Sequence, residues 1–160
     1  MSDRRPIFHW PHEWTVEGFL TEAQQLIAED NTTLMWRTAS RLSMAARGVV
    51  EGVRAEEARP LVVALAKSLV APGARPMNDA AFVFYCYAVL IEGVDATPLR
   101  NELESDDPFR EVNAAEYLVH ADPPDPKAIP ILDELLRFDP ESIRWKGARA
   151  RYDDQIDPFA

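Results

Sequence analysis

The chain of 160 residues contains a single cysteine, Cys86. One thiol cannot form an intramolecular disulfide framework or a cysteine-based zinc cluster. It lies in the apolar stretch 82–90, where a free cysteine usually behaves as a small buried hydrophobic residue. A catalytic thiolate needs an electropositive, partly open setting. We therefore expect Cys86 to be structural.

Long apolar runs are also missing. None approaches the roughly 18 residues that a membrane-spanning helix needs. Prolines and histidines interrupt the N-terminal residues 1–13, which do not resemble a secretory signal. We expect a cytoplasmic protein. A composition of 47% hydrophobic and 28% charged residues is that of a globular chain, and the length predicts a single domain over 1–160.

Basic residues are scarce in the C-terminal part. Residues 101–160 hold fifteen acidic and seven basic residues, a balance of −8, whereas residues 1–100 have a balance of −2. This charge repels phosphate backbones and anionic headgroups, so we expect no nucleic acid and no membrane as partner. It favours a basic protein partner. In the alternative interpretation, the acidic surface only keeps the protein soluble.

Apolar residues recur at three- and four-residue spacing, which predicts helices. Caps or prolines mark several helix starts: Thr15, Asn31, Asn78 or Asp79, Asp107-Pro108 and Asp139-Pro140. The second helix is expected to end near Gly48 or Gly52. The predicted helices cover about 16–27, 32–48, 55–70, 79–92, 97–105, 108–120, 127–137 and 140–152. No convincing strand pattern remains, so we predict an all-α fold with no significant sheet.

A repeated pattern opens three of these helices. Segments 58–61, 96–99 and 128–131 share Ala, then Pro two residues later, then Leu or Ile, with another leucine four residues further on. The prolines are 38 and 32 residues apart, which is typical of helical repeats. In the last two units a second helix follows, beginning with Asp-Pro at 107–108 and 139–140.

This pattern resembles HEAT repeats over about residues 55–152. The family's proline, turn aspartate and basic residue are matched by Pro130, Asp139 and Arg144, but Val112 stands at the basic position of the preceding unit. The resemblance implies a short right-handed α-solenoid of about four antiparallel helix pairs. Segment 15–52 would be an atypical first pair that caps the stack. An unrelated helical bundle is the alternative.

The ends of the chain offer little chemistry. His9, His12 and Glu13 are too few ligands for a metal site, so we expect neither metal nor cofactor. Segment 1–14 is an aromatic arm, with Trp10 and Trp14, that either anchors a partner or folds back on the first helices. Segment 153–160 is an acidic tail.

The sequence favours a non-enzymatic protein–protein interaction module. It lacks the motifs of nucleophilic, nucleotide-binding and dinucleotide-binding sites. Small acidic helical proteins of this size resemble bacterial immunity proteins, and a scaffold adaptor is the other subtype. The alternative function is a helical-repeat enzyme, such as a DNA-glycosylase-like protein with an unrecognised pocket and a basic and aromatic last helix. The candidate partner-binding residues are Glu102, Glu104, Asp106, Asp107, Asp122, Asp125, Trp145, Asp153 and Asp154.

Overall fold

The computed structural model describes residues 15–49, 55–73, 76–121 and 124–136. The regular secondary structure among these residues is helical, with no strand. The predicted all-α class is thus confirmed for this part of the chain. The predicted helix 140–152, the aromatic arm and the acidic tail lie outside it. The helices are α1 (Val16–Ala28), α2 (Thr32–Ala46), α3 (Ala55–Leu69), α4 (Asp79–Ala88), α5 (Thr97–Asn101), a 3₁₀ turn (Glu102–Glu104), α6 (Pro108–Leu118) and α7 (Ala128–Leu136).

The chain divides into two compact units, Met1–Val94 and Asp95–Ala160. None of the described helices has the length and apolar character needed to cross a membrane. The first unit holds α1 to α4, and the second holds α5 to α7 with the 3₁₀ turn. Each unit has its own buried apolar residues.

Four predicted caps begin their helices. Each accepts a hydrogen bond from a backbone N–H two or three residues further on, at 3.0–3.1 Å: Thr15, Asn31, Asn78 and Asp107. Such bonds satisfy amide groups that have no partner inside the helix. Pro108 follows its cap as the first residue of α6, where the missing N–H costs nothing.

Helix α2 ends at Ala46, two residues before Gly48, which is one of the two predicted end positions; Gly52 lies outside the described residues. Gly48 has a φ of 79°, and the N–H of Val49 donates to the carbonyl of Met44 at 3.1 Å. The N–H of Gly48 donates to the carbonyl of Ala45 at 3.0 Å. This bonding pattern is a Schellman motif, which favours glycine because its left-handed residue should have no Cβ.

In the first unit, α2 packs against α4, α3 and α1, and α1 also packs against α3. Helix α4 is the most enclosed element, since every residue from Ala80 to Cys86 is buried. The prediction that Cys86 is a buried hydrophobic residue is confirmed. A helix that is apolar nearly all round needs neighbours on several sides, which α2 and α3 provide.

Two side chains, one in the α1–α2 turn and one at the N-cap of α4, join the start of α4 to the end of α1. Asp30, which follows α1 with a φ of 51°, accepts a hydrogen bond from the Ala80 N–H at 2.9 Å. Asn78 donates its side-chain N–H to the carbonyl of Ile27 at 2.6 Å. The two side chains therefore pair with terminal backbone groups of two different helices, which have no partner inside their own helix.

In the second unit, α5 and the 3₁₀ turn pack against α6, which packs against α7. The buried core consists largely of Leu99, Leu103, Phe109 and Leu118. Proline positions differ between the three similar segments. Pro98 is the second residue of α5 and Pro130 the third of α7, but Pro60 lies inside α3, which is already helical from Ala55. The expectation that all three segments open a helix is wrong for 58–61, because helical residues precede its proline.

Candidate functional site

The predicted acidic contact residues that the structure describes all belong to the second unit. Glu104 ends the 3₁₀ turn and Asp106 precedes α6, and both side chains are exposed. No hydrogen bond or ion pair with another described residue engages either carboxylate. Asp122, Trp145, Asp153 and Asp154 lie outside the described residues. Glu104 and Asp106 therefore form the accessible part of the candidate site, called here the acidic corner.

Glu102 and Asp107 flank the acidic corner but are engaged within the chain. The Glu102 carboxylate lies 3.1 Å from the Arg110 guanidinium, and both side chains are only 17% exposed. Asp107 is half-buried and caps α6. Asp107 thus holds the start of α6, and Glu102 is already neutralised by an arginine.

Asp125 is buried and paired. It is 8% exposed, and its Oδ2 atom lies 3.0 Å from Nε of Arg100. Its Oδ1 atom accepts a hydrogen bond from the Lys127 N–H at 3.0 Å, just before α7 begins. The carboxylate thus holds the turn that leads into α7. It offers little surface to a partner, in contrast to the exposed Glu104 and Asp106.

The described residues of the second unit carry a large excess of negative charge. Its described residues include ten carboxylates and three basic side chains, namely Arg100, Arg110 and Lys127. Two of the three are paired with Asp125 and Glu102. Ten carboxylates against three basic side chains leave an excess of seven negative charges among the described residues of this unit.

Several exposed carboxylates were not among the predicted contact residues. Glu116 is exposed on α6, and Asp133 and Glu134 are exposed on α7. Helical spacing alone could have predicted that Glu116 is exposed, since it falls between the buried pair Ala114-Ala115 and the buried Leu118. These residues extend the negative surface of the second unit beyond the acidic corner.

Asp95 shows how local hydrogen bonds keep a carboxylate ionised. Its Oδ1 atom accepts from the Thr97 N–H at 3.0 Å and from the Thr97 hydroxyl at 2.8 Å. The backbone bond, then the hydroxyl bond, lowers the pKa of Asp95, with a further contribution from Arg100. A general acid needs the opposite shift, so Asp95 is suited to starting α5 and not to donating protons.

Within the described residues, no group of three His, Cys, Asp or Glu side chains is arranged to hold a metal ion. The histidines of the arm, His9 and His12, lie outside that range.

Comparison with known proteins gives no family: no family model, no curated protein and no solved structure matches this chain. The likeness to HEAT repeats consequently stays a prediction that rests on the proline pattern described above.

Proposed function

We propose that this protein is a non-enzymatic interaction module whose second unit binds a basic protein. The observation that carries the proposal is the excess of carboxylates over basic side chains among the described residues of that unit, with Glu104 and Asp106 exposed at its corner. Arg100 and Arg110 are occupied by internal carboxylates and cannot neutralise this surface. A field of one sign attracts a partner of the other sign and accelerates its encounter.

The neighbour pattern in the first unit supports a stacked-pair architecture for the module. Contacts of α1 with α3, and of α2 with α4, are those expected when two helix pairs stack like against like. The contacts of α1 with α2 and of α3 with α4 would then be those within each pair. We propose that the first unit is built from these two stacked helix pairs.

The test is affinity capture with a charge-reversed variant. The double variant E104K/D106K should lose the basic proteins that the wild type retains, because two exposed carboxylates become repulsive. The matched control is E22K/E56K, which makes the same charge change at exposed positions of α1 and α3. Circular dichroism verifies the helical content of each variant. Retention of the same proteins by E104K/D106K would refute the assignment of the acidic corner.

The kinetics of a captured partner give a second criterion. Electrostatic steering raises association rates by about tenfold or more and is screened by salt. We expect the association rate to fall steeply with ionic strength for the wild type, and less steeply for E104K/D106K. A rate that does not depend on salt would remove the electrostatic basis of the proposal.

The two subtypes differ in affinity. An immunity protein must hold a cationic toxin almost irreversibly, and such complexes reach a Kd of about 10⁻¹³ M or below. A scaffold adaptor exchanges partners and needs only micromolar to nanomolar affinity, roughly −8 to −12 kcal/mol. Measurement of the dissociation rate of the captured complex therefore assigns the subtype.

A further inference from the structure

Helix α2 presents arginines to solvent on the side opposite its packed face. Its buried side chains include Met35, Ala39 and Leu42, which point toward the other helices of the first unit. The exposed stripe, called here the arginine face, consists of Arg37, Arg41, Met44 and Arg47. Spacings of three and four residues align these four side chains along one side of the helix.

The arginine face differs in charge from the rest of the chain. No acidic residue occurs in α2, although the protein as a whole carries a net charge of −10. The side chains of Arg37 and Arg47 make no hydrogen bond or ion pair with any other described residue. They therefore constitute a local positive surface on an acidic protein.

The composition of this face is that of a binding surface. Arginine, methionine and aromatic residues are enriched at protein–protein interfaces, whereas lysine, aspartate and glutamate are depleted there. Met44 is 44% exposed and Val49, just beyond the helix, is 63% exposed. The half-buried Trp36 borders the stripe. Exposed apolar side chains beside the guanidinium groups of Arg37 and Arg47 are suited to an acidic surface.

The chain itself supplies an acidic surface. The acidic corner of the second unit, Glu104 and Asp106, is exposed and carries the opposite charge. Guanidinium groups bind carboxylates in pairs of parallel hydrogen bonds, which gives directional contacts. At about 0.1 M salt the Debye length is roughly 10 Å, so repulsion between the net charges of two molecules is screened while contacting pairs still attract.

We infer that the arginine face of one molecule binds the acidic corner of a second copy. The contact joins two different surfaces, so it leads either to a closed ring or to an open chain of molecules. It uses the same acidic corner that the proposed function assigns to a basic partner, and it rests on that assignment. A basic partner would then compete with self-association, and the self-associated form would have its acidic corner covered.

The test is sedimentation velocity at about 100 µM protein, a concentration that populates contacts with a Kd of that order. Wild-type protein should sediment as a mixture of monomer and larger species in about 100 mM NaCl and as monomer in about 500 mM NaCl, because salt screens the contact. The variant R37E/R47E should be monomeric at both salt concentrations. The matched control K67E/K127E makes the same charge change at exposed lysines outside α2 and should associate like the wild type.

Mixing two variants gives the decisive measurement. R37E/R47E has an acidic face in place of the arginine face, and E104K/D106K has a basic corner in place of the acidic one. Each alone should be monomeric, but an equimolar mixture should associate, since the reversed face of one matches the reversed corner of the other. A monomeric wild type, equal association of R37E/R47E and wild type, or a mixture that stays monomeric would each overturn the inference.

Failure of this inference can be told apart from failure of the proposed function. R37E/R47E leaves the acidic corner intact and should still bind the basic partner. If it binds the partner but wild type does not self-associate, only the second-copy contact is wrong. If E104K/D106K still binds the partner, the assignment of partner binding to the acidic corner is wrong.

Discussion

Replacement of Asp30 tests how the first unit joins α1 to α4. Asp30 is a non-glycine residue with a φ of 51°, a left-handed conformation that most side chains disfavour. Its carboxylate accepts the hydrogen bond of the Ala80 N–H at 2.9 Å, and Ala80 is fully buried. A turn position that usually favours glycine is thus occupied by a residue whose side chain caps another helix.

The magnitudes follow from those two features. In Asp30→Ala the buried N–H loses its acceptor, at a cost of about 1–3 kcal/mol, and the left-handed conformation becomes less favourable. We expect a total loss of about 2–4 kcal/mol. Asp30→Asn keeps an acceptor oxygen and tolerates the conformation, so it should lose less than about 1 kcal/mol. Asp30→Gly removes the strain but also the hydrogen bond, and should fall between the two.

The assay is urea denaturation followed by circular dichroism, combined with hydrogen exchange of peptides from α4. Exchange localises the effect, because the missing bond belongs to the first turn of α4. The control is Asp106→Ala, an exposed carboxylate of the second unit, which should change stability by no more than about 0.5 kcal/mol. Equal stability of Asp30→Ala and Asp30→Asn would show that the hydrogen bond to Ala80 contributes nothing. A glycine variant more stable than wild type would show that relief of the backbone strain outweighs that bond.

Three further predictions concern caps and pairs. The lowered pKa of Asp95 means that its contribution is present above the pKa of the unfolded chain and is lost as the pH falls through the folded value. An NMR titration should give a midpoint below the ordinary value, and Thr97→Ala should raise it. Arg100→Leu leaves the buried Asp125 without its cation and should cost about 1–2 kcal/mol in urea denaturation, since Arg100 itself is 45% exposed. Gly48→Ala meets no atom within 4 Å but keeps a φ of 79°, so it should cost about 1 kcal/mol, with a smaller loss for Gly48→Asn. Thermal denaturation measures this difference.

Local chemistry explains why much of the helical layout could be predicted. A cap such as Asn31 or Asp107 acts within three residues of itself, and so does the start that Pro108 provides. Gly48 ends α2 through bonds that span only six residues. Interactions of such short range involve residues that are close in the sequence, so these helix starts and ends could be predicted from the sequence alone.

The candidate site was predictable only in part. Glu104 and Asp106 are exposed, as expected of polar residues in a turn. Asp125 is also an acidic residue in a turn, but it is buried, paired with Arg100 and hydrogen-bonded to the backbone before α7. Nothing in the local sequence distinguishes the exposed Glu104 and Asp106 from the buried Asp125, because burial depends on which other parts of the fold pack nearby.

By itself, the sequence determined the helical class, the capped starts of four helices, the glycine stop after α2 and the concentration of negative charge beyond residue 100. The tertiary structure decided which polar groups act inside the fold. Asp30 contacts Ala80, which is 50 residues away in the sequence, and Arg100 contacts Asp125, which is 25 residues away. Neither contact can be predicted from helical periodicity. The physical reason is range: capping and helical spacing act over one or two turns, whereas the pairing of charges depends on how helices pack.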